Sequence, residues 1–142
     1  MEVYYFTFTG NSKRVAEHIA SKFGVEAFEV RAPKFPYAVW LVLSFFPLLE
    51  VPAEFKPVES EKVVFCFPKW TLNCPPATFF IRRLSVERLA LVISYSGFDE
   101  VRYAEFYKKL ALKHAGHCEY FLVKRGSDFE DLAERVREFL RA

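Results

Sequence analysis

Val3-Tyr4-Tyr5-Phe6-Thr7-Phe8-Thr9-Gly10-Asn11-Ser12 decides the fold of this 142-residue chain. Its first half is apolar, aromatic and rich in β formers, which predicts a buried strand over Val3 to Phe8. Its second half carries three hydroxyls, an amide and a glycine. The segment that follows, Lys13 to Phe23, places Val15, Ala16, Ile19, Ala20 and Phe23 on one helical face and meets a stop signal at Gly24. A strand that turns tightly into a helix leaves unpaired backbone N–H groups at the positive end of the helix dipole, where an anion is stabilised. Gly10 lets backbone come close to such an anion. The hydroxyls of Thr7, Thr9 and Ser12 add donors, so the segment reads as a holder for the phosphate of a small molecule.

Outward from this turn the chain alternates. Strands are expected at Ala27 to Val30, Lys62 to Phe67, Leu89 to Tyr95 and Tyr120 to Val123. Helices are expected at Pro76 to Leu84, Glu100 to His114 and Asp128 to Leu140, the last with Asp128 as its cap. Alternation of this kind predicts a parallel sheet with helices on both faces, and ligands at the carboxyl ends of its strands. Three loops therefore carry the site: Thr7 to Ser12, Pro68 to Pro75, and Tyr95 to Asp99. One domain spanning 1–142 is expected from the length.

Composition narrows the function. The chain is 52% hydrophobic, which excludes a disordered chain, and its net charge of +2 is too small to indicate nucleic-acid binding. Cys66, Cys74 and Cys118 are odd in number and widely spaced, so neither a disulfide framework nor a metal cluster is indicated, and a reducing cytoplasm is the expected setting. The chain opens directly on a strand pattern rather than on a signal peptide. Gln is absent and Asn occurs only twice, while Lys, Arg and Glu are abundant, a pattern that points to a thermophile. Cys66 is expected in the core and Cys74 in an exposed loop. His18 is expected to face solvent, with His114 and His117 flanking a helix end.

Pro36 to Pro52 stands apart. It is apolar nearly all round and too short, and too interrupted by Pro47, to span a bilayer. It reads either as a helix covering the sheet or as a contact surface: a partner dock or, through Ala38 to Leu49, a homodimer or membrane-surface contact.

The run from Tyr4 to Ser12, followed by Val15-Ala16 and Ile19-Ala20, resembles the phosphate-loop signature of flavodoxins: a strand, Thr/Ser-x-Thr-Gly-x-Thr/Ser, then a helix. The resemblance extends in layout over most of the chain. It implies a three-layer, doubly wound α/β fold with a five-stranded parallel sheet in the order 2-1-3-4-5. It also implies flavin mononucleotide (FMN), with Thr7, Thr9, Asn11 and Ser12 on the phosphate and backbone help from Phe8, Gly10 and Lys13. Trp70 would cover one face of the ring and Tyr95 or Phe98 the other. Pro68, Thr71, Leu72 and Asn73, with Ser96 and Gly97, complete the two ring loops. The second loop lacks the glycine common there in flavodoxins, and Asn73 is expected to take the left-handed conformation in its stead. The resemblance implies electron transfer between redox partner proteins, of ferredoxin type or a reductase. The alternatives are an FMN-dependent NAD(P)H:quinone or flavin reductase, and an interaction module that has lost FMN.

Overall fold

The computed structural model describes residues 1–127 and 129–141. Five strands form one parallel sheet in the order β2-β1-β3-β4-β5, as the resemblance implies. They are β1 (Glu2–Tyr5), β2 (Ala27–Glu29), β3 (Lys62–Pro68), β4 (Val86–Tyr95) and β5 (Ala115–Lys124). The helices are α1 (Asn11–Phe23), α2 (Tyr37–Leu43), α3 (Pro75–Ile81), α4 (Glu100–Ala111) and α5 (Leu132–Arg141).

Side chains of the central strands alternate between two cores, as the pleat requires. Tyr4, Phe6, Phe65, Phe67, Leu91 and Ile93 face one core with Phe80 of α3 and Tyr103 and Tyr107 of α4. Val3, Tyr5, Val64, Cys66, Ala90 and Val92 face the other with Val15 and Ile19 of α1 and Val136 of α5. Both faces are covered, which is why the central strands read as continuous apolar runs. Helix α1 ends where Gly24 takes φ 67°, its N–H donating to Ala20 O and Ser21 O.

Several boundaries depart from expectation. The β1 ladder ends at Tyr5, and Phe6 adds one more bond through its N–H to Cys66 O (2.9 Å) before the chain leaves the sheet. β5 begins five residues earlier than expected. Ala115-Gly116-His117-Cys118-Glu119 has no apolar alternation because an edge strand buries only part of itself. His117 therefore lies exposed in a strand rather than at a helix end. α4 stops at Ala111, short of His114. α5 starts at Leu132, and the cap assigned to Asp128 falls outside the described residues. His18 is half-buried, edge-on to Phe129 with centroids 4.8 Å apart, rather than facing solvent.

Cys74 is not exposed; like Cys66 it is fully buried. It belongs to a polar network inside the apolar core. The Tyr107 hydroxyl accepts from Cys74 N–H (2.8 Å) and donates to Asn73 Oδ1 (2.9 Å), which also accepts from the Thr78 hydroxyl. Asn73 Nδ2 donates to Phe46 O (2.9 Å) and Leu49 O (2.8 Å). Asn73 does not adopt positive φ; among the described non-glycine residues Leu48 and Asp99 do. Its side chain is committed to these four bonds, and the backbone follows.

Two expectations concern stability. Tyr107→Phe removes one hydroxyl from several buried partners and should cost about 1–3 kcal/mol in denaturant unfolding, the usual range for orphaned buried polar groups. Burial raises the thiols of Cys66 and Cys74 above the ordinary 9.0 and pushes Cys118 to about 12. The folded state thus favours the neutral thiol. That contribution is complete below the unfolded value of 9.0 and is lost as pH rises above it towards the folded values. The melting temperature should therefore fall as pH rises above 9, and thiol reagents should react only as the chain unfolds.

Candidate functional site

The chain runs from β1 to β2 on one side and then crosses to β3 on the other, so the order reverses between β1 and β3. Loops leaving the carboxyl ends of adjacent strands diverge at such a point and leave a crevice. Here a cleft of ≈ 450 Å³ opens among the loops after β1, β3, β4 and β5 and is walled by α2. Its size lies within the range of small-molecule sites.

One end is the turn into α1. Thr7 Oγ1 accepts from Gly10 N–H (2.8 Å), which closes the turn, and Gly10 sits at φ 96°, a conformation that disfavours residues with a Cβ. Gly10 occupies the cap position, and no side chain caps the helix. Thr9 Oγ1 accepts from the guanidinium of Arg125 (3.1 Å), which arrives from the loop after β5. That loop is held to the β4 end by the bond from Arg125 N–H to Tyr95 O (2.8 Å).

Three polar atoms on the cleft wall are buried without a hydrogen-bond partner among the described residues: Asn11 Nδ2, Ser12 Oγ and Ser94 Oγ. An unsatisfied buried polar group costs about 1–3 kcal/mol, so such groups cluster where a ligand completes them. Lys69 and Arg125 line the cleft, and no carboxylate does among the described residues. The chemistry is that of an anion holder with donors to spare.

The other end is aromatic. Half-buried Trp70 meets the edges of Phe6 and Phe8 with centroids 5.5 and 6.3 Å apart, and Trp40 of α2 lies tilted at 5.5 Å. Phe8 stacks on Tyr37 at 6.1 Å. On the β4 side, Tyr95 is half-buried and Phe98 is 79% exposed at the loop tip. The Lys69 ammonium lies 5.8 Å from the Phe98 ring centre and 5.7 Å from that of Tyr103. A flat apolar ligand gains from such walls through stacking and area removed from water.

The cleft brings together Thr7, Phe8, Thr9, Asn11, Ser12, Pro68, Trp70, Thr71, Tyr95, Ser96, Gly97 and Phe98 from the expected set. Gly10 shapes the turn, and Lys13 is exposed on α1 outside the lining. Leu72 is exposed outside the lining, and Asn73 is turned into the core by its network. Sequence reasoning missed Tyr37, Trp40, Leu41, Ser44, Lys69, Ser94 and Arg125. Lys69 and Ser94 adjoin expected residues and were accessible to the same logic. The α2 residues lie in an apolar run with no period to orient them.

No protein-family profile matches the chain. An uncharacterised protein of Archaeoglobus fulgidus is 44% identical over 143 aligned residues, covering 99% of this chain and 96% of that protein. Among solved structures, a Bacteroides uniformis protein provisionally termed a flavoprotein superposes with TM-score 0.72 at 15% identity, over 99% of this chain and 97% of the other. A Streptococcus pneumoniae flavodoxin gives 0.55 at 13% identity, over 99% and 94%. An NAD(P)H:quinone oxidoreductase of Methanothermobacter marburgensis gives 0.52 at 14%, over 100% and 94%. At these identities the structural likeness speaks for the fold, and the archaeal relative for descent. The chain has the flavodoxin-like fold and belongs to one family with the Archaeoglobus fulgidus protein.

Proposed function

We propose that the cleft binds FMN and that the protein carries electrons between redox partners. The observation that carries this reading is the pairing of two ends in one cleft. One end offers an uncapped helix N-terminus with the unpartnered donors Asn11 Nδ2 and Ser12 Oγ, and the other offers the Trp70 and Tyr95/Phe98 walls. The residues fit a phosphorylated flat ring: donors and a cation where the phosphate belongs, apolar faces where the ring belongs.

Bound FMN would supply reversible transfer of one or two electrons. The chain's own residues bind and orient it. Ser12 and Asn11 donate to the phosphate, as do backbone N–H groups of the first turn of α1. Thr7 holds the turn through its acceptance from Gly10, and Arg125 adds positive charge. Ser94 Oγ offers a partner for a polar edge of the ring. Trp70 and the third loop exclude water from the ring faces, and the exposed Phe98 marks where a partner protein docks.

A second reading is an FMN-dependent NAD(P)H:quinone or flavin reductase. It draws on a groove of ≈ 1080 Å³ that shares Thr7, Phe8 and Trp40 with the cleft, enough room for a second substrate beside the ring.

Purified protein should be yellow and release FMN on denaturation. A colourless protein that ignores added FMN would leave only the interaction-module reading. Steady turnover of NAD(P)H with a quinone or dye would favour the reductase over the carrier. Ser12→Ala separates binding from folding. It removes a buried unpartnered hydroxyl, so the FMN-free protein should melt no lower than wild type, while FMN affinity falls about ten-fold or more, as expected for a lost bond to a charged group. Arg125→Ala should weaken FMN binding in low salt and matter less in high salt. Unchanged affinity in both variants would remove the phosphate assignment.

A further inference from the structure

Residues 35–49 contain no charged side chain, and the fold leaves most of them outside both cores. Of the two readings of this segment, a covering helix or a contact surface, the exposure of α2 favours the second. In α2 only Trp40 is buried, wedged against Phe35 and Trp70, and Ser44 follows it into the protein. Tyr37, Val42, Phe45, Phe46 and Leu48 are 45–64% exposed and follow one another along a single short helix and turn. Exposed apolar side chains so concentrated mark a contact surface.

This surface is fixed. Ser44 Oγ donates to Leu41 O (2.7 Å), Leu72 N–H donates to Ser44 O (3.0 Å), and the Asn73 amide clamps Phe46 O and Leu49 O. Leu48 is held at φ 66° between those clamped carbonyls.

The border of the surface is positive. Lys34, exposed, stands at its start and has no ion pair among the described residues. At its end Glu50 is shared by Arg82 and Arg83, one carboxylate between two cations. Lys69 lines the same cleft that Leu41 walls.

We propose that this face seats on a lipid bilayer bearing anionic headgroups. Phe45, Phe46 and Leu48 enter the interface, and Lys34, Lys69 and the Arg82/Arg83 pair lie at headgroup level. An apolar face bordered by cations is the pattern of interfacial anchors, whose binding combines buried apolar area with attraction to anionic lipid. Charge decides against a second copy of the chain, because a two-fold contact through this face would set one positive border against another. Tyr37, Trp40, Leu41 and Ser44 also wall the cleft, so a seated protein presents the cleft mouth towards the bilayer.

The test is co-sedimentation of the full chain with vesicles of phosphatidylcholine alone and of equimolar phosphatidylcholine and phosphatidylglycerol. It reads the same whether the protein is yellow or colourless, so its outcome is separate from that of the FMN reading. The anionic vesicles should bind at least about ten-fold more protein, since each lysine or arginine near such a surface contributes about five-fold and more than one borders the face, and added salt should remove the difference. Phe45→Ser with Phe46→Ser should abolish binding. Both side chains lie outside the two cores, and an unchanged melting curve confirms that the variant folds. Lys34→Glu should weaken binding several-fold with the apolar face intact. Three results would overturn the proposal: no preference for anionic vesicles, binding indifferent to the Phe45/Phe46 change, or a wild-type dimer at sedimentation equilibrium that the same change converts to monomer.

Discussion

The Asn73 side chain joins parts of the protein that would otherwise meet only through apolar contact. Its oxygen takes hydroxyls from α3 and α4, and its nitrogen ties down the turn after α2. The residue itself sits in the loop after β3, the loop that carries Trp70. One buried amide thus sets the height of the aromatic wall, the seating of α3 and the position of the apolar face. Such a network stabilises a unique arrangement only when every member is satisfied, and here both ends of the amide are. The third loop lacks this support and turns instead through two positive-φ positions, Gly97 at φ 115° and Asp99 at φ 55°.

The cleft contrasts with this satisfied interior. Its buried donors at Asn11, Ser12 and Ser94 have no partner among the described residues, and they line the crevice at the reversal of strand order. Three of the four unpartnered buried side-chain atoms among the described residues lie where a ligand enters, His18 Nε2 on α1 being the fourth, while the Asn73 network leaves none. Local sequence conflict concentrated at one edge of an otherwise consistent fold is the ordinary signature of a functional site.

Much of this was legible in the chain itself, for physical reasons. Strands β1, β3 and β4 are buried on both faces, so their apolar runs are unmistakable, and α1 writes its buried face as Val15-Ala16 and Ile19-Ala20. The turn at Gly10 is local and can be read residue by residue. What escaped depends on partners far along the chain. Arg125 reaches Thr9 across 116 positions. Asn73 looks like a turn residue until Phe46, Leu49 and Tyr107 are placed around it. The first half of β5 hides because an edge strand with Gly116 and His117 need not alternate. The inward face of α2 hides because uniform apolarity has no phase, so nothing distinguishes Trp40, which turns inward, from Val42, which does not.

Trp40 and Trp70 are the only tryptophans in the chain, and both line the cleft with ring centres 5.5 Å apart. The protein's indole emission therefore originates at a single location. Two indoles this close share excitation, and a bound chromophore absorbing in the near ultraviolet or blue would sit within efficient energy-transfer range of both. Intrinsic fluorescence is accordingly a built-in reporter of cleft occupancy and of the posture of α2, with no contribution from indoles elsewhere in the fold.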